Sequence, residues 1–135
     1  MSKSELSDLS RINLTDNKDL IINKIKKAKT DPMPMPNNLE ELNERLEAKN
    51  LLGIYASLTN SSLEKSISNF SGKNFSEFKE SLSEILVNKI EPISIEIKQL
   101  LADQTYLDQI LLEGVEKANL IASKKIKKIK EIVGF

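Results

Sequence analysis

Lysine supplies most of the reactive chemistry in this chain. Lys117, Lys124, Lys125, Lys127, Lys128 and Lys130 crowd the C-terminal stretch. Each is a compact positive charge with three donors and no acceptor, suited to phosphate oxygens. Their rival role is a solvated helix face that complements the negative end of the helix dipole. At the other end Lys3 stands between Ser2 and Ser4. Taken alone, Met1-Ser2-Lys3-Ser4 reads as an ordinary polar start to a cytosolic polypeptide. Tyr55, Phe75, Phe78 and Tyr106 could stack on unpaired bases, as aromatics do in RNA readers. All four also fall in register with apolar stripes, which favours core packing. There is no histidine and no cysteine, so disulfides and thiolate or imidazole zinc sites are excluded, and no metal ligands are expected. The 20 basic and 20 acidic side chains cancel; no global field announces nucleic acid, and any RNA contact must be local. Only Arg11 and Arg45 interrupt the lysines. That bias, with abundant isoleucine, asparagine and serine, suggests an AT-rich genome, so lysine runs partly reflect codon supply.

Helices must position these groups. Asp16 is expected to cap a helix running to about Lys29, with Leu20, Ile21, Ile25 and Ala28 on one face and Lys24, Lys26, Lys27 and Lys29 in its last turns. Thr30 to Asn38 cannot be helical, because Pro32, Pro34 and Pro36 remove donors and restrict their predecessors; it reads as a linker or lid. Asn38 with Glu41 forms a capping-box start, and the Leu39, Leu42, Leu46 spacing carries into Leu51, Leu52, Tyr55 and Leu58. Ser61 with Glu64 opens a short helix that Gly72 ends in a left-handed cap. After Asn74 an apolar stripe runs from Phe75 to Leu100, and Pro92 should kink that helix without breaking it. Asp103 caps the next helix, with Leu107, Ile110, Leu111, Val115, Ala118 and Ile121 inward. Ser123 is expected to cap a last one, where Ile126, Ile129, Ile132 and Val133 face inward until Gly134. No period-2 pattern competes, so the fold class is all-α, a helical bundle. A chain of 135 residues fits one domain with a real core. No stretch approaches the roughly 20 apolar residues of a membrane span, and no secretory signal opens the chain; the expected address is cytoplasmic, away from membranes.

Order and spacing of several blocks carry a family resemblance. Met1-Ser2-Lys3-Ser4 reproduces the end of the Lys-Met-Ser-Lys-Ser loop of class I aminoacyl-tRNA synthetases. Arg11-Ile12-Asn13-Leu14-Thr15-Asp16 follows, then Lys24-Ile25-Lys26-Lys27-Ala28-Lys29-Thr30-Asp31. Further on come Asn50-Leu51-Leu52-Gly53-Ile54-Tyr55-Ala56 and Gly72-Lys73-Asn74-Phe75-Ser76-Glu77-Phe78-Lys79. Ala102-Asp103-Gln104-Thr105-Tyr106-Leu107, Glu113-Gly114-Val115-Glu116-Lys117-Ala118 and Val133-Gly134-Phe135 complete the series. Together these resemble the bacterial-type tryptophanyl-tRNA synthetases over nearly the whole chain. The departures are the missing first lysine of the loop, Arg45-Leu46-Glu47 where the family reads Arg-Pro-Glu, and a rearranged Asp31 to Asn43.

The resemblance implies a C-terminal part: residues 1–15 the end of the ATP-binding loop and a connector, residues 16–135 the anticodon-binding-type helical domain, with a proline-rich linker at 31–38. The family's Rossmann catalytic core, with its His-x-Gly-His motif, is absent from these residues. By the same resemblance Lys3 is catalytic and Met1, Ser2, Lys3 and Ser4 contact ATP phosphates. The parent reaction activates tryptophan with ATP and Mg²⁺ and transfers it to tRNA-Trp; Lys117, Lys124, Lys125, Lys127 and Lys128 are candidate tRNA contacts. Partners implied are tRNA-Trp, an N-terminal catalytic half and, as family members are homodimers, a second copy. Alone, the chain is expected to be inactive and to need no cofactor. The competing reading is a free-standing RNA-binding or protein-interaction module left by truncation or gene splitting.

Overall fold

The computed structural model describes residues 7–134, so the Met1 to Ser4 assignments lie outside the described residues. A 3-10 turn at Asp8–Ser10 precedes six helices: α1 Lys18–Lys27, α2 Leu39–Asn43, α3 Leu46–Thr59, α4 Leu63–Phe70, α5 Phe75–Ala102 and α6 Gln104–Val133. Among the described residues there is no strand, and the fold is all-α as its periodicities require. The chain divides into two compact units, one ending at Ile95 and the other beginning at Glu96.

The core of the first unit draws on every helix within it. Ile21 and Ile25 of α1, Leu42 of α2, Leu51 and Leu52 of α3, Ile67 and Phe70 of α4, and Phe78, Leu82 and Leu86 of α5 are all buried. Tyr55, Phe70 and Phe78 cluster within it, Phe70 edge-on to both Tyr55 and Phe78 and the latter two tilted, with ring centroids 5.0 to 5.9 Å apart, geometry that adds to the area each ring removes from water. Tyr55, Phe75 and Phe78 therefore pack, as their registers suggested. Tyr106 does not: it is 47% exposed.

Helix boundaries follow local hydrogen bonding, with corrections of a residue or so. Asn17, not Asp16, caps α1 by accepting from Leu20 N–H; the Asp16 carboxylate is committed elsewhere. Ser62, not Ser61, caps α4 through Lys65 N–H, because the Ser61 hydroxyl bonds to Ser66 Oγ at 2.9 Å. Asn38 caps α2 as expected, while Glu41 reaches back to Asn37 N–H. Asn60 closes α3 in the left-handed region at φ 52°, which short amide side chains tolerate. Gly72, at φ +71°, makes the turn out of α4, where a Cβ would be strained whatever the space. α5 continues through Pro92, since the apolar stripe resumes in phase on both sides.

The proline-rich segment is not a free lid. Met35 exchanges backbone hydrogen bonds with the α4–α5 turn, donating to Lys73 O at 2.8 Å and accepting from Gly72 N–H at 3.2 Å. Its side chain is 1% exposed. Arg45 holds the other end of the segment: Nε and Nη2 grip the two carboxylate oxygens of Asp31 at 2.9 and 2.6 Å, and Nη1 donates to Pro34 O at 2.7 Å.

The second unit contains the end of α5 and all of α6. Asp103 caps α6 through Tyr106 N–H, and Gly134 closes it with N–H to Lys130 O. Ser123 starts no new helix: α6 passes through it unbroken, as no proline or other breaker stands near enough to stop the hydrogen-bond ladder. α6 buries none of its residues. Ile110, Leu111, Val115, Ile121, Ile126, Ile129, Ile132 and Val133, expected to face inward, are exposed. A helix buries its apolar stripe only against another element, and one full helix with the tail of a second does not enclose a core.

Candidate functional site

The stretch from Asp8 to Asp16 is tied to α1 by charge. Lys24 Nζ lies 2.6 Å from Asp16 Oδ2 and 2.8 Å from Asp8 Oδ2, and the lysine side chain is 1% exposed. Asn13 links the two carboxylates: its Nδ2 donates to Asp8 Oδ1 at 3.0 Å, and its backbone N–H donates to Asp16 Oδ2 at 2.9 Å. Arg11 Nε adds a second cation 3.4 Å from Asp8 Oδ1. Two cations face two anions, and burial of an ammonium is tolerable only under such pairing. Burial by itself pushes the Lys24 ammonium toward losing its proton; the hydrogen bonds to Asp16 and Asp8 outweigh it, and the group is held above its ordinary value. The hydrogen bond from Lys24, with help from Asn13, holds Asp8 below the usual carboxylate value.

Sequence reasoning placed Lys24 in the last turns of α1, where it lies, but assigned it no carboxylate partner. The signal was present. At about 100° per residue, position 24 falls within roughly 60° of Ile21 and on the same side as Ile25 and Ala28. A lysine inside an apolar stripe needs an anion, and Asp8 and Asp16 lie upstream to provide it.

Lys79 is half-buried. Its Nζ donates to Ala28 O at 2.7 Å and to Lys26 O at 3.2 Å, satisfying carbonyls that α1 leaves open at its C-terminus. Burial pushes its ammonium down. Beside it a groove of about 910 Å³ runs between α1 and α5, with Lys18 and Lys26 on one wall and Glu80 and Glu84 on the other. This mixed charge gives no preference for an anion.

The candidate tRNA contacts Lys117, Lys124, Lys125, Lys127 and Lys128 are all exposed on α6. At about 100° per residue they fall within an arc of roughly 160°, with Lys130 about 60° beyond its edge. One helix thus gathers these five and leaves the sixth out. Among the described residues, no group of three or more histidine, cysteine, aspartate or glutamate side chains could hold a metal ion. No helix among the described residues is long and apolar enough to cross a membrane.

In its sequence blocks and its all-α fold the chain is similar to aminoacyl-tRNA ligases. More narrowly, it corresponds along its whole length to the C-terminal part of tryptophan–tRNA ligases. It is 48% identical over 135 residues to the tryptophan–tRNA ligase of Agrobacterium fabrum, covering all of this chain and 38% of that protein. The tryptophan–tRNA ligase of Caulobacter vibrioides is 45% identical over the same length, with 39% of it covered. That of Rickettsia felis is 48% identical, with 40% covered. The chain therefore spans about two fifths of the length of these curated relatives. No protein-family model matches it. The relatives support the ligase-part reading over a free-standing module.

Proposed function

We propose that this chain serves as the C-terminal part of a tryptophan–tRNA ligase, which activates tryptophan with ATP and transfers it to tRNA-Trp in the cytoplasm. The observation that carries the reading is the match of the whole chain to such ligases at 44–48% identity. In this reading residues 1–15 end the ATP-binding loop and residues 16–135 form the tRNA-recognising helical domain. Lys3 brings its ammonium to the ATP phosphates, with Met1, Ser2 and Ser4 beside it, and offsets charge developing on the leaving pyrophosphate. Magnesium enters as the companion of those phosphates, to which it is typically bound. The parent enzyme acts as a homodimer, and Lys117, Lys124, Lys125, Lys127 and Lys128 of α6 meet phosphates of the tRNA.

The test is complementation. The 135-residue chain is mixed with the separately expressed N-terminal part of such a ligase, and tryptophan-dependent exchange of pyrophosphate into ATP is measured. Exchange by the mixture but by neither part supports the reading. Exchange by the chain alone, or none by the mixture although both parts are folded, overturns it.

A further inference from the structure

Lys24 is an expensive way to build α1. Ion pairs removed from water are often no better than well-packed apolar residues of similar size, and Lys24, buried on the same helix as Ile21 and Ile25, needs two carboxylates to be tolerated. What the charged version adds is register. An apolar side chain would let the preceding segment slide, whereas an ammonium held at 2.6 and 2.8 Å by two carboxylates admits one placement of that segment. The segment so placed is Ser7 to Asp16. Its turn is internally braced, with Ser10 Oγ donating to Ser7 O at 2.7 Å and Asn13 joining Asp8 to Asp16. Ile12 packs against the core beneath it. Lys3 precedes Asp8 by five residues, a reach of at most about 18 Å.

We infer that Lys24 is a positioning residue for the ATP-binding loop: through Asp8 and Asp16 it fixes, on the helical body, the point from which Lys3 reaches the phosphates. This inference rests on the ligase reading above and adds to it a residue that never touches the substrate. Asp8 is the informative partner, because its carboxylate is 55% exposed and contributes little to the core, yet it is the anchor nearest Lys3.

The experiment compares Lys24→Met and Asp8→Asn with the wild type in two settings. In the 135-residue chain, amide hydrogen exchange at Leu9 to Asn13 is expected to quicken in both variants, with α3 and α4 unchanged. In the ligase assembled from this chain and the N-terminal part, kcat for tryptophan-dependent pyrophosphate exchange is expected to fall roughly 10²-fold for Lys24→Met and about tenfold for Asp8→Asn, since ångström-scale misplacement has costs of this order. KM for tryptophan should not move. Asp8→Asn is expected to lose rate without losing thermal stability. If rate loss instead tracks stability across the two variants, or if both keep full activity, the positioning role is overturned. A wild-type assembly without exchange, alongside the expected amide pattern, overturns the ligase reading and leaves the tether standing.

Discussion

Among single residues, the two arginines stand out because lysine is the default cation of this chain. Each faces an aspartate: Arg11 pairs with Asp8, and Arg45 with Asp31. A lysine delivers one point charge, but the Arg45 fork reaches a carboxylate and a backbone carbonyl at once and also lies 5.6 Å from the Phe75 ring centroid. Rarity was thus a legible signal of geometric need. Arg45→Ala is expected to cost roughly 2–3 kcal/mol of unfolding free energy by denaturant titration, and Arg45→Lys to recover only part of it. The hydrogen bond from Arg45 holds Asp31 below its ordinary value of 3.8. A depressed folded-state value means that the stability it confers is present above the unfolded value and is lost as pH falls through the folded one. Stability should therefore drop below about pH 4, and more shallowly in Arg45→Ala. Lys3 belongs to this scale too. In the assembled ligase Lys3→Ala should lower the pyrophosphate exchange rate by roughly 10²-fold or more, with the melting temperature of the chain unchanged; equal losses of both would contradict its role.

Elements were legible where one residue type had one job, and slipped where two candidates stood side by side. Asn17 beside Asp16 and Ser62 beside Ser61 each offered two capping oxygens, and a sequence does not show which one a tertiary partner has claimed. Lys24 took Asp16; Ser66 took Ser61. Ser123 shows the converse: a capping residue type in mid-helix is only a hydroxyl on a helix. Within α5, Ser94 is 1% exposed and its Oγ finds no hydrogen-bond partner among the described residues. Burying an unsatisfied hydroxyl is unfavourable, so Ser94→Ala should raise unfolding free energy by about 1 kcal/mol; a destabilised variant would point to a missed partner. On α6 the lysine arc allows a test of the tRNA role. Replacing Lys124, Lys125, Lys127 and Lys128 by glutamine should weaken tRNA binding and flatten its salt dependence, each lost contact lowering the slope by about one. An unchanged slope would leave these lysines as a solvated face.

For the whole molecule, the helical class and the first unit's core were readable because its apolar residues recur at helical spacing and find partners there. The same spacing on α6 was misleading. Periodicity says that a helix has an apolar side, not that anything in the chain covers it, and Ile126, Ile129 and Ile132 are exposed. Nor did periodicity reveal how residues 31–38 are held. That depends on backbone pairing between positions 38 residues apart, Met35 and Lys73, which leaves no local trace.

That pairing also sorts two neighbouring thioethers by their access to oxidants. Met33 and Met35 lie two residues apart between prolines, yet Met33 is 60% exposed and Met35 1%. Dilute hydrogen peroxide should convert Met33 to its sulfoxide first, adding one oxygen atom to the peptide mass without loss of helix. Met35 should react only when the segment lifts from the α4–α5 turn, and its polar, bulkier sulfoxide would then be unable to return to the core. Peptide mass mapping against exposure time would read both rates, and Arg45→Ala should speed oxidation of Met35 while leaving that of Met33 unchanged. The methionine pair would then act as a built-in recorder of how often this part of the protein opens, and oxidative damage at Met35 would hold it open.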